Sequence, residues 1–264
     1  DDARVLSGEA AGAKRRSELR KRIAETGLPY QKDYPAFCQR VANFVQNSPG
    51  AHIWILGNET NLKVEWPQYE GTTEKITIAL YVEAFQLCRS AIKALPGHDG
   101  DQVLPQASAT QTWDSGLDWV DYHLAMLNAI GPGNLDGIAL HTYTQGSDPN
   151  LIFSEDRVGA KSRYSQFRAY RDFMAVHPIW AQSLPVYVTE TCPVGIGYSA
   201  DSAGWIPNAY TEIDAWNQVP GVQKIRALAL FRWWKRPCCP CYLEGNPEGI
   251  ADFLEAMNYE YVWR

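Results

Sequence analysis

The stretch Ala51-His52-Ile53-Trp54-Ile55-Leu56-Gly57 runs straight into Asn58-Glu59-Thr60, and its reading decides the fold. A short, nearly continuous apolar run closed by glycine has the pattern of a β-strand in a sheet covered on both faces. A carboxylate directly behind such a strand is costly to bury unless it has partners or a task. The same arrangement returns 131 residues later, where Leu184-Pro185-Val186-Tyr187-Val188-Thr189 ends on Glu190.

Three further runs fit this frame. They lie at 102–104 (continuing through Pro105 towards Ser108), at 135–141 and at 224–233. Helical patterns fill the gaps. Behind Thr72 and Thr73 as N-cap candidates, Tyr81, Phe85, Cys88, Ile92 and Leu95 recur at three- and four-residue steps along one face. Other helices are expected at 34–46, 117–130, 163–176, 208–217 and 249–257. Strands alternating with helices mean βα units and a parallel sheet, closed by right-handed crossovers. No Gly-x-Gly-x-x-Gly or Walker pattern follows any strand, which weakens a nucleotide-binding, doubly wound sheet.

The start of the chain fits less neatly, with a basic helix expected around 10–25 and at most one short strand at 3–6. Five strands, or six, stand against the eight of a complete barrel of typically ~250 residues. The fold class expected is α/β: a (β/α)8 barrel whose N-terminal strands are missing or abbreviated. Residues 31–264 would form it, behind an N-terminal helical segment at 1–30.

Composition narrows the function. Of 264 residues, 45% are hydrophobic and 20% charged, a balance that excludes a disordered chain. A net charge of -6 argues against nucleic acid or an anionic membrane as partner. The run Lys14-Arg15-Arg16 with Arg20, Lys21 and Arg22 reads as the solvated face of a helix. No apolar run approaches the ~20 residues that span a bilayer. No secretory leader is present in the chain, and the compartment stays open with a lean towards secretion. Ten Trp, fourteen Tyr and eight Phe tilt the reading towards carbohydrate, although aromatics also fill barrel cores.

Carboxylates at two strand ends on one barrel face could flank a glycosidic bond, one donating a proton and the other attacking the anomeric carbon. Here the sequence resembles the clan A glycoside hydrolases. Asn-Glu after one strand and Glu after the strand three later is that clan's pattern, on the fourth and seventh strands of a (β/α)8 barrel. The resemblance implies Glu59 as acid/base and Glu190 as nucleophile. Asn58 matches the residue that binds the sugar 2-hydroxyl. His141-Thr142-Tyr143 looks like the sixth-strand motif whose aromatic hydroxyl contacts the nucleophile. Trp233 or Trp234 is similar to the last-strand Trp that floors the sugar subsite. The resemblance covers roughly 35–264, without the strands that supply the front of the clan's site. It implies a double displacement on a β-linked oligo- or polysaccharide, with no cofactor and no metal. Glu190 would be ionised, favoured by a hydrogen bond from Tyr143, and its charge would keep Glu59 protonated.

Bland readings stand beside these. Glu59 alone would be a surface turn residue, Asn58-Glu59-Thr60 also matches the N-glycosylation pattern, His141 could be a satisfied core histidine, and a Trp pair could be plain packing. What lifts the set is that each member falls at a separate strand end, in the clan's order. The competing function is a non-catalytic carbohydrate-binding or structural barrel that retains the cleft. An unrelated metal hydrolase is disfavoured, because the five histidines form no ligand-spaced motif. Trp66, Trp113 and Trp205 could line sugar subsites or cap the barrel. Cys192 and Cys238-Cys239-Pro240-Cys241 lie in neighbouring loops and suit a loop disulfide or free thiols better than zinc. Cys38 and Cys88 read as buried apolar fillers. An open barrel would expose sheet edges and invite oligomerisation. The sugar, the linkage and exo or endo action are not legible.

Overall fold

The computed structural model describes residues 28–69, 72–235, 240–259 and 261. The expected helix at 10–25 and strand at 3–6 lie outside the described residues. Five parallel strands carry the site. They are β1 (Ile53–Leu56), β2 (Gln102–Pro105), β3 (Ile138–His141), β4 (Val186–Thr191) and β5 (Ile225–Leu230). β1 pairs with β2 in one sheet, and β3, β4 and β5 form a second in the order β5-β4-β3. The sheets abut at β2 and β3. Asp136 N–H donates to Val103 O at 3.2 Å, the Asp136 carboxylate accepts from Val103 N–H at 3.0 Å, and Tyr187 Oη donates to Gln102 Oε1 at 2.9 Å. Successive strands are thus neighbours, as right-handed βα units require. The expected closure into an eight-stranded barrel is not seen among the described residues: these five strands form two short parallel sheets, with β1 and β5 at the two ends.

That incompleteness changes β1. Its apolar run predicts cover on both faces, yet Trp54 and Leu56 are buried while Ile53 and Ile55 are exposed. Side chains alternate across a strand, and among the described residues β1 is an edge strand with one face packed. β3, by contrast, is buried at all four positions. Its approach to both neighbours depends on Gly137, where a Cβ would meet Pro185 O at 3.1 Å and Leu104 Cγ at 3.2 Å.

Helices cover the outside: α1 (Tyr34–Gln46), α2 (Ile78–Lys93), α3 (Trp119–Ile130), α4 (Ala169–Ala175), α5 (Trp205–Gln218) and α6 (Pro247–Met257). α1 has the expected bounds. α2 starts later than the Thr72–Thr73 caps imply, because Thr72–Thr73 pairs with Gln68–Tyr69 and the capping side chain is Thr77, which accepts from Leu80 N–H. The helix expected at 163–176 shrinks to α4, since Arg163–Tyr164 pairs with Arg157–Val158 in a hairpin. Cys38 on α1 and Cys88 on α2 are not free fillers; they are disulfide-bonded. No helix among the described residues is long and apolar enough to cross a membrane.

Candidate active site

Glu59 stands three residues past β1. Gly57 leaves the strand at φ +88°, where an added Cβ would come within 3.2 Å of the Tyr81 ring, and Glu59 itself takes φ +40°. A left-handed conformation at a non-glycine residue costs ~1–3 kcal/mol, and such strain clusters at functional sites. The segment after β2 holds it in place. Glu59 N–H donates to Ala107 O at 3.1 Å, and Thr60 N–H to Gln106 Oε1 at 2.6 Å. The Asn61 side chain bonds both the N–H and the C=O of Ala109, at 2.8 and 2.9 Å. Thr60, Asn61 and Gln106 are fully buried, so each polar atom needs such a partner. These supports were not legible beforehand; the only signal is the run of polar and small residues at 106–112.

Glu190 lies within β4, and its register partner on β3 is His141. Tyr143, two residues on, brings the two carboxylates together. Its hydroxyl donates to Glu190 Oε1 at 2.5 Å and stands 3.4 Å from Glu59 Oε1. These two distances together cap the separation of those oxygens at about 5.9 Å. His141 Nδ1 lies 2.7 Å from Glu59 Oε1 and 3.3 Å from the same hydroxyl. The structure therefore places Glu59, His141, Tyr143 and Glu190 in one hydrogen-bonded cluster.

The electrostatics follow from burial and charge. Burial alone would lower the His141 pKa, but the hydrogen bond to Glu59 and the charges of Glu59, Glu190 and Glu65 outweigh it and raise it. The His141 ring therefore holds a proton more readily than a free histidine would, with Nδ1 within hydrogen-bond reach of Glu59. Burial raises the Glu190 carboxyl; the His141 charge, the Tyr143 hydrogen bond and the Arg232 charge oppose it without prevailing. The expected effect of Tyr143 on Glu190 is present, but desolvation is larger. Tyr143 is pushed well above the ordinary phenol range, first by burial and then by both carboxylates, so it acts as a hydrogen-bond donor.

A cavity of about 350 Å³ opens over the pair, within the size range of small-ligand sites. Its lining includes Thr112, Gln145, Phe231 and the disulfide Cys192–Cys241, which ties the loop after β4 to the loop after β5. Cys238 and Cys239 lie outside the described residues. Asn58 is half-buried beside Glu59 and is not among the residues that line the cavity. Trp233 and Trp234 are 54% and 66% exposed and do not line the cavity. The aromatic ring that does so from this strand end is Phe231, because the chain turns away directly after it: Arg232 N–H donates to Cys241 O and Leu243 N–H returns to Arg232 O, both at 2.9 Å. Of the other tryptophans singled out, Trp66 and Trp205 are buried and Trp113 is half-exposed.

No protein-family profile matches the chain, and no curated protein matches it in sequence. Solved structures do. An endo-β-1,3-glucanase of glycoside hydrolase family 128 from Sorangium cellulosum aligns with 84% of this chain and 75% of its own, at 18% identity and a TM-score of 0.52. Another, from Amycolatopsis mediterranei, aligns over 88% and 82% at 14% identity, with a TM-score of 0.51. The cellulose synthase subunit Z of Clostridioides difficile aligns over 87% and 68% at 13% identity, with a TM-score of 0.50. At these identities the likeness is one of fold. The chain has a mixed α/β fold similar to that of these two family 128 endo-β-1,3-glucanases.

Proposed function

We propose that the protein is a retaining glycoside hydrolase that cleaves a β-glucan by double displacement, with Glu190 as nucleophile and Glu59 as acid/base. One observation carries the reading: a single phenol, Tyr143, touches both carboxylates, so their facing oxygens are at most about 5.9 Å apart. Retaining enzymes hold the pair at roughly 5–5.5 Å, whereas inverting ones need ~6.5–9.5 Å to seat a water. In the first step Glu190 attacks the anomeric carbon and the C–O bond to the leaving sugar breaks, while Glu59 delivers its proton to that oxygen. In the second, Glu59 takes a proton from water, which displaces Glu190 from the anomeric carbon. His141 orients Glu59 and Tyr143 positions Glu190, and Asn58, next to Glu59 in sequence, is assigned to the 2-hydroxyl by the resemblance alone. β-Glucans are the substrate class because the solved structures with this fold include β-1,3-glucanases.

The second reading, a carbohydrate-binding barrel without activity, draws on the described strands leaving β1 and β5 unjoined. Reducing-end release from laminarin and carboxymethyl cellulose separates the two. Wild type should release ends, and Glu59→Ala should lose roughly 10²–10⁴-fold, as for removal of a general acid/base. Equal, negligible turnover by wild type and Glu190→Ala would leave only the binding reading.

A further inference from the structure

Next to the catalytic cleft lies a second hollow of about 200 Å³. One wall is the loop that follows β2, and the other is the hairpin of Arg157–Val158 and Arg163–Tyr164 that follows β3. Both walls spring from strand C-terminal ends, so the hollow shares the face on which the carboxylates sit. The chain also joins the two directly. Thr112 lines the cleft and Trp113 lines the hollow, and Gln111, just before them, takes φ +54°.

Trp113 is the platform. It is 52% exposed, yet its ring is fixed, packed edge-on against Trp119 with centroids 5.2 Å apart. Gly159 sits so close that an added Cβ would come within 3.3 Å of Trp113 Cζ2. A second, independent observation comes from the walls. Trp119 Nε1 and Arg163 Nε are buried donors with no hydrogen-bond partner among the described residues, and both residues border this hollow. Buried donors are nearly always paired, so two orphans beside one hollow set it apart from the ordinary surface. The charges, meanwhile, satisfy one another: Arg163 and Lys161 pair with Asp118 and Asp121. A charged ligand would find no uncompensated partner there. A rigid aromatic face, unfilled donors and balanced charge suit a neutral ring with an apolar face and hydroxyl edges.

We propose that this hollow is a distal subsite, holding one pyranose unit of the same neutral β-linked glucan whose backbone crosses the cleft at Glu59 and Glu190. The assignment rests on the reading of the cleft as a glucan site and makes the substrate a chain longer than the cleft itself.

Calorimetric titration of the Glu190→Gln protein with laminarihexaose and with laminaribiose tests this without turnover. Adding Trp113→Ala should weaken the hexaose at least about tenfold, as for truncation of a tryptophan anchor, and change the biose by less than about twofold. Trp113→Phe should restore most of the hexaose affinity, which a misfolded variant would not. Hexaose binding unchanged by Trp113→Ala overturns the subsite while leaving the cleft reading intact. Loss of hexaose affinity in a protein whose wild type cleaves no glucan supports the subsite and removes only the catalysis. A parent that binds neither oligomer overturns both.

Discussion

Tyr143→Phe removes one oxygen atom, and the geometry predicts a large kinetic effect with little effect on folding. The hydroxyl lies 2.5 Å from Glu190 Oε1 and borders the cleft, so its loss leaves no buried group unpaired except the carboxylate it serves. A hydrogen bond to a charged group contributes ~1.5–3 kcal/mol, which corresponds to roughly 10- to 150-fold in kcat/KM. The pH dependence gives the sign. Glu190 must be ionised to attack, burial already raises its carboxyl, and the Tyr143 bond is one of the influences holding it down. Without that bond the carboxyl rises further, so the acidic limb of the kcat/KM profile moves to higher pH and part of the lost rate returns as pH increases. The assay is a pH–rate profile of both proteins on a soluble β-glucan, with thermal melts to confirm equal folding. A variant within about threefold of wild type, with an unmoved acidic limb, would refute the assignment of Tyr143 as the donor to the nucleophile.

Replacing Cys38 and Cys88 by Ser opens a loop of 50 residues between α1 and α2. The chain-entropy relation puts the loss at about 4 kcal/mol, or roughly 10 °C in Tm, with hydrolysis at room temperature retained; a Tm change under about 2 °C would count against a stabilising crosslink. The buried pair His123 and His177, with facing Nε2 atoms 3.1 Å apart, predicts an acid-labile core. Burial pushes His177 down to about 4 from its ordinary 6.5, against an opposing hydrogen bond to Gln223. Because the folded pKa is depressed, the unfolded chain binds the proton more readily: the stability is present above about pH 6.5 and lost as pH falls towards 4. The size is about 3 kcal/mol by linkage. His177→Gln should flatten the fall in urea midpoint over that window, and an unaltered slope would disprove the origin.

Much of the fold is legible because the apolar runs at 51–57, 135–141 and 184–190 are strand-like in residue type, and the five-strand order follows from simple βα alternation. α1 is legible for a similar reason, since its buried residues recur at helical steps. What escapes the sequence depends on contacts made over long separations. The exposure of Ile53 and Ile55 reflects which neighbours β1 has, and no residue on β1 encodes that. The aromatic that reaches the cavity from the end of β5 is Phe231 and not Trp233 or Trp234, because return pairing with 241–243 decides where the strand stops. Gln106, Thr60 and Asn61 look like ordinary loop residues until β1 and β2 are side by side. Cys38 and Cys88 meet only once α1 packs on α2. The cluster of Glu59, His141, Tyr143 and Glu190 could be anticipated as a set, since each member falls at a strand end on one face. The separation of the two carboxylates could not.

That separation makes a stereochemical claim, and proton NMR of the first-formed products of β-glucan cleavage tests it most directly. Two displacements at the anomeric carbon return the original configuration, so the β-anomer should appear first and mutarotate to the equilibrium mixture. Initial release of the α-anomer would mean a single displacement by water and would contradict the assignment of Glu190 as nucleophile.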